Sequence, residues 1–183
     1  PGVINHPFFE PEIVFGEADN SRSSRVKALQ QLFAESGVRA TIPENIMLAV
    51  WLKFLYICTV SGLGALTRVP IGQLRADPFL RQMLLDTAHE IVAVGRAKGI
   101  PIEDKHLHAV FSVIDAQEPN VTASMQRDLM EGKPSELEEF NGYVSRQGKA
   151  LQVPTPVNDY IYHCLKPQEI LARKNNINSI STF

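Results

Sequence analysis

Residues 43–64, PENIMLAVWLKFLYICTVSGLG, constrain this chain more than any other stretch. From Ile46 to Leu63 the one charge is Lys53, and the only other polar side chains are Thr59 and Ser61. A helix apolar on every side belongs in the interior of a domain. Thr41 or Pro43 is its expected start: threonine can cap, and proline in a first turn already has a helical φ. Glu44 suits the positive end of the helix dipole, and Gly62 and Gly64 weaken the far end. At about 22 residues the segment could match a bilayer span. Glu44 and Lys53 lie within it, however, and no basic cluster flanks it, so it reads as the core helix of a soluble domain.

A lysine inside such a helix needs a reason, because its ammonium is costly to desolvate without partners. One reading is that the Lys53 stem packs on apolar surface while the head snorkels to water. The other is a cleft lysine whose pKa is lowered by burial, fit to donate a proton near neutral pH. Lys53, Ile57 and Ser61 are four apart and share one helix face.

Charge and cysteine content narrow the function classes. The net charge of −2 over 183 residues provides no basic field for nucleic acid and no polybasic membrane patch. Cys58 and Cys164 sit far apart in apolar helical runs, as buried free thiols do, and no metal-ligand spacing is present. No signal peptide is visible at the start, so a reducing, cytoplasmic compartment is expected.

Along the chain, Val3–Phe9 and Glu12–Phe15 are short β-type runs broken by Pro7 and Pro11. Arg22–Glu35 has a helical pattern with Val26, Leu29, Leu32 and Phe33 on one side and Gly37 as a stop. Val38–Ile42 is extended again. Residues 1–42 thus read as a small ββαβ-like fragment, the edge of a larger sheet. From residue 43 to 174 the pattern is helical throughout. A loop spans Thr67–Leu74. Asp77 and Pro78 cap a helix over Phe79–Lys98 that Gly99 closes. Further helices are expected over Glu103–Ala116, Ser124–Met130 with Thr122 as cap, and Glu136–Gln147. After Thr155 and Pro156, two more are expected, Val157–Leu165 and Pro167–Lys174. Residues 175–183 read as a loose tail.

Ser61 ends the central helix, Ser124 begins a short one, and Glu136 follows a glycine–proline turn. Ser124 in a first turn and Glu136 near a helix N-terminus are each favoured there for local reasons, and spacing alone favours that reading over a shared cleft. The order of the segments adds weight. Trp51-x-Lys53 followed by Ser61-Gly62-Leu63-Gly64-Ala65-Leu66 resembles the core helix of ketopantoate reductases (2-dehydropantoate 2-reductases). Ser124-Met125-x-x-Asp128, Gly132-x-x-x-Glu136-Leu137, Asn141-Gly142-Tyr143-Val144 and Val153-Pro154-Thr155-Pro156-x-Asn158 resemble that family's C-terminal signature in sequence and spacing. The opening, ending in Phe15-Gly16-Glu17, is similar to the last strands of its N-terminal domain. The resemblance covers roughly Val3–Lys166.

This resemblance implies a mainly α chain: an all-helical domain of the 6-phosphogluconate dehydrogenase C-terminal-like type, preceded by a small α+β remnant of a Rossmann domain. It implies an NADPH-dependent reduction of a 2-keto acid, ketopantoate first, with Lys53 as the general acid that protonates the developing alkoxide. Ser124 would bind the substrate carboxylate, Glu136 would accept from substrate hydroxyls, and Ser61 would add a second polar contact. Two features depart from the family. Ile57 stands where it usually has asparagine, and isoleucine can bond neither lysine nor substrate. No G-x-G-x-x-G is present, so no cofactor-binding residue is expected in this chain, which reads as part of a longer enzyme, folded but inactive by itself. An open strand edge at Val3–Phe15 would form its own hairpin or pair with a second chain as a homodimer. The alternative function is a non-catalytic helical module for dimerisation or ligand binding, with Ile57 marking a degenerate site. Whether Lys53 and Glu136 share a cleft separates the two readings.

Overall fold

The computed structural model describes residues 12–180, with side chains through Asn176. Eight helices and two short strands make up the described residues, as the mainly α reading expects. They divide into two compact units, one up to Val50 and the other from Trp51 onward, and the division falls inside the central helix.

In the first unit, β1 (Glu12–Val14) pairs in parallel with β2 (Arg39–Thr41), Ile13 opposite Ala40. The connection is α1 (Ser24–Glu35), whose cap Ser23 accepts from the Val26 N–H. Gly37 ends it at φ 71°, and the Val38 N–H returns to the Phe33 carbonyl at 2.9 Å. That closure needs a left-handed residue, which glycine adopts without penalty. Of the apolar side expected for α1, Val26 is buried, whereas Leu29 and Leu32 are exposed. The strand expected over Val3–Phe9 lies outside the described residues.

The central helix is α2 (Ile46–Thr67). Its cap is Asn45, not Thr41 or Pro43: the Asn45 Oδ1 accepts from the Leu48 N–H at 2.9 Å, and Thr41 is held in β2. Gly62 and Gly64 do not end the helix, which continues through Thr67. The helix stops at Arg68, φ 59°, whose N–H bonds the Gly64 carbonyl at 2.8 Å. By length and composition α2 could cross a membrane. Leu55, Cys58, Thr59 and Leu63 are nonetheless wholly buried within the second unit, which accounts for its hydropathy.

Around α2 in the second unit run α3 (Ile71–Ala76), α4 (Pro78–Ala97), α5 (Asp104–Ala116), α6 (Ser124–Met130), α7 (Asn141–Leu151) and α8 (Pro156–Ile180). Where a loop was expected, α3 forms a short helix. The Asp77 cap on α4 holds as expected, accepting from the Leu80 N–H at 2.9 Å. α4, α7 and α8 pack on one another, burying Leu84, Ala88, Ile91, Val144, Ile161 and Leu165. Burial of this apolar set, at about 25 cal/mol per Å², is the main force holding the helices together.

Three further expectations are corrected. α7 begins at Asn141, and residues 136–140 form a separate turn in which the Glu136 carbonyl accepts from the Glu139 and Phe140 N–H groups. α8 runs unbroken through Pro167, and residues 175–180 continue it where a loose tail was expected. Proline removes a donor and frees the carbonyl one turn back, but Pro167 and His163 are exposed, so water can take that carbonyl. Cys164 is exposed; of the two thiols only Cys58 is buried, and burial pushes its pKa well up.

Candidate active site

A cleft of about 400 Å³ opens in the second unit between α2, α3, α6 and the turn before α7. Ser61, Ser124 and Glu136, drawn from three distant segments, all line it. Each arrives by a different local device. Ser61 is carried on the buried side of α2 and is 1% exposed. Ser124 is the first residue of α6, capped by Ala123 without a side-chain bond; Thr122, the expected cap, accepts instead from Arg127. Glu136 projects from the turn that Gly132, at φ 69°, begins.

The rest of the wall is mixed. Tyr56, Ile57, Val60, Val121 and Phe140 provide apolar surface, while Gln117, Thr122 and Gln126 add polar groups that the sequence reading did not assign to a cleft. Gln126 occupies a variable position within the Ser124-Met125-x-x-Asp128 pattern, so spacing alone carries no signal for it. It is 2% exposed and donates from Nε2 to the Val69 carbonyl at 3.0 Å. Burial raises the pKa of the Tyr56 phenol, which stays a neutral donor through the physiological range.

Lys53 lies elsewhere. It is exposed and lines an adjoining shallow depression with Leu52, His106, Val110 and Val113, and no described residue bonds or pairs with its ammonium. Tyr56 borders both hollows. Eight residues separate Lys53 from Ser61, about 12 Å along the helix axis. Lys53 and Glu136 therefore do not line one cleft; they line neighbouring ones that meet at Tyr56.

Other signature residues hold the walls in place. Asn158 is wholly buried, accepts from Asn141 Nδ2 at 2.9 Å, and donates to the Thr87 carbonyl and, at 2.7 Å, to Glu90. Asn141 lies against Gly62, and a Cβ there would collide with its amide. The Asn141-Gly142 and Thr155-Pro156-x-Asn158 motifs thus fasten α7 and α8 to α2 and α4 rather than lining the cleft.

Residues 45–169 match the family model described as ketopantoate reductase PanE/ApbA C terminal. The chain belongs to the ketopantoate reductase family. A 2-dehydropantoate 2-reductase of Pyrobaculum aerophilum is 30% identical over 148 residues, 81% of this chain and 53% of that protein. An uncharacterized oxidoreductase of Bacillus subtilis, YkpB, is 27% identical over 92% of this chain and 55% of its own length. Among solved structures, a PanE/ApbA family ketopantoate reductase from Ralstonia eutropha JMP134 superposes with a TM-score of 0.80 at 28% identity, over 90% of this chain and 53% of that one. The chain spans about half the length of the curated relatives it matches.

The family resemblance also implies a nicotinamide cofactor, and the described residues do not fit its pyrophosphate. The chain's G-x-G, Gly62-Leu63-Gly64, is inside α2, with Gly62 against Asn141 and Ile161 and Gly64 against Gln126. A phosphate turn needs its glycine backbone open at a helix N-terminus.

Proposed function

We propose that this domain is the substrate-binding part of a cytoplasmic 2-keto acid reductase, with 2-dehydropantoate as the leading substrate. The observation that supports it most is the convergence of Ser61, Ser124 and Glu136 on one cleft. 2-Dehydropantoate carries a carboxylate beside its ketone, a carbon with two methyls, and a primary hydroxyl. In this reading Ser124 donates to the carboxylate and Glu136 accepts from the hydroxyl. Ile57, Val60 and Phe140 cover the methyls, and Ser61 contacts the keto acid end. Lys53, reaching past Tyr56, donates its proton to the ketone oxygen as charge develops there. NADPH supplies the hydride in such a reaction. No residue of this chain is given a role on it, and its binding is assigned to the rest of a longer protein, so the 183-residue chain alone is expected to be inactive.

A second reading has an observation of its own. Lys53 sits outside the cleft, which favours a non-catalytic module that binds a small ligand or a second copy of the chain through a degenerate site. Steady-state kinetics of the full-length protein with a panel of 2-keto acids and NADPH separates the two. Turnover that Lys53→Ala abolishes supports the reductase. No turnover of any 2-keto acid leaves the binding module.

A further inference from the structure

Glu169, on α8, is 1% exposed and does not line the cleft. Both its carboxylate oxygens accept from the Ser135 N–H, at 3.2 and 3.1 Å, and Oε2 also accepts from the Ser135 hydroxyl at 2.6 Å. Arg173, one turn further along α8, pairs with Glu169 Oε1 at 2.6 Å and donates to the Ser135 carbonyl at 3.0 Å. Two side chains thereby hold every polar group of Ser135. The Ser135 oxygen in turn accepts from the Leu137 N–H at 3.3 Å. Glu136 lies between these two fastened residues, and no described side chain bonds to its carboxylate.

The expense of this arrangement calls for an explanation. A buried carboxylate loses its hydration, and an ion pair with a partly exposed partner seldom returns all of it. Reversing the chain does not require one, since Gly132, at positive φ, already turns it, with the Lys133 N–H returning to the Asp128 carbonyl. What the pair adds is a fixed orientation for the peptide groups on both sides of Glu136, and such support is what holds a binding group to its productive geometry. We infer that Glu169 and Arg173 are positioning residues that aim the Glu136 carboxylate into the cleft. The inference rests on the reading of Glu136 as the acceptor for substrate.

The test uses the full-length reductase. Glu169→Gln and Arg173→Gln each raise KM for the 2-keto acid about tenfold and change kcat less than about threefold, because the interaction lost is common to ground and transition states. In a Glu136→Ala background neither adds more than about twofold, since residues acting through one group are not additive. KM unchanged in both variants overturns the inference, and so do effects that multiply in the Glu136→Ala background. Breaking a buried pair can unfold a protein. If Glu169→Gln does so, Arg173→Gln carries the test, its side chain being 50% exposed. If the wild-type protein turns over no 2-keto acid, the functional reading has failed, and the clamp is judged by amide exchange in the 183-residue chain. Faster exchange at Ser135–Leu137 in Arg173→Gln upholds the clamp; unchanged exchange overturns it.

Discussion

Gln126 lies against Gly64: a Cβ built on that glycine would stand 2.6 Å from the Gln126 Oε1. The α2 helix needs glycine here because a cleft-lining amide from α6 passes over its backbone. Helix propensity by itself favours Gly64→Ala by up to about 1 kcal/mol. Displacing a buried amide that donates to the Val69 carbonyl outweighs that gain. Gly64→Ala is expected to destabilise the chain by about 1–3 kcal/mol, as overpacking does. Urea denaturation of the 183-residue chain reads this directly, and a gain in stability would show that Gln126 moves aside without loss.

Lys53 separates chemistry from stability. It is exposed and has no partner among the described residues, so Lys53→Met should shift stability by no more than about 0.5 kcal/mol. As a general acid it should be worth about 10²–10⁴-fold in kcat. Thermal melts of this chain and kinetics of the full-length protein test the two halves. A variant with kcat intact removes Lys53 from the chemistry.

Sequence reading reached those features whose causes are local. The Asp77–Pro78 start of α4, and Gly37 and Gly99 as stops, follow from caps and backbone preference within a few residues. Readings failed where a distant partner decided. Thr41 could cap α2, but β1 claims its backbone, and Asn45 caps instead. Pro167 could end α8, but the helix is fixed on both sides, by Ile161 and Leu165 before it and Glu169 and Ala172 after it, all buried. The ordered motifs did identify three residues that share a cleft. Spacing carried nothing about Gln126, or about Lys53 lying on the neighbouring depression, since both depend on how α5 and α6 pack beside α2.

Glu90 should matter to stability more than its half-buried position suggests. Its two oxygens accept from the Val157 N–H at 2.8 Å and the Asn158 N–H at 2.9 Å, the open donors of the first turn of α8. A carboxylate from another helix thus caps the first turn of α8, and it favours the positive end of the dipole. It also holds the Asn158 amide. Glu90→Ala leaves these donors unpaired and is expected to cost about 2–3 kcal/mol. Glu90→Gln, which keeps one acceptor, should cost less. Urea midpoints of the two variants give the order, and equal losses would assign the effect to charge alone.

Glu17 makes one end of the first unit sensitive to acid. Its carboxylate accepts from the Ser23 hydroxyl at 2.5 Å and from Arg25 Nε at 2.6 Å, and Arg25 also pairs with its other oxygen. Ser23 is the cap of α1, so Glu17 orients the group that accepts from the Val26 N–H. Hydrogen bonding by Arg25, then by Ser23, lowers the Glu17 pKa from its ordinary 4.5 to about 2. A folded-state pKa lowered in this way contributes stability that is complete above the unfolded value and is lost as pH falls through the folded one. The window therefore runs from about 4.5 down to about 2. Protection of the Val26 amide in wild type should exceed that in Glu17→Gln at neutral pH, and the ratio should fall toward one across this window. Comparison as a ratio cancels the intrinsic pH dependence of exchange. A ratio that stays flat from pH 7 to pH 2 would show that the Ser23 cap is held without Glu17.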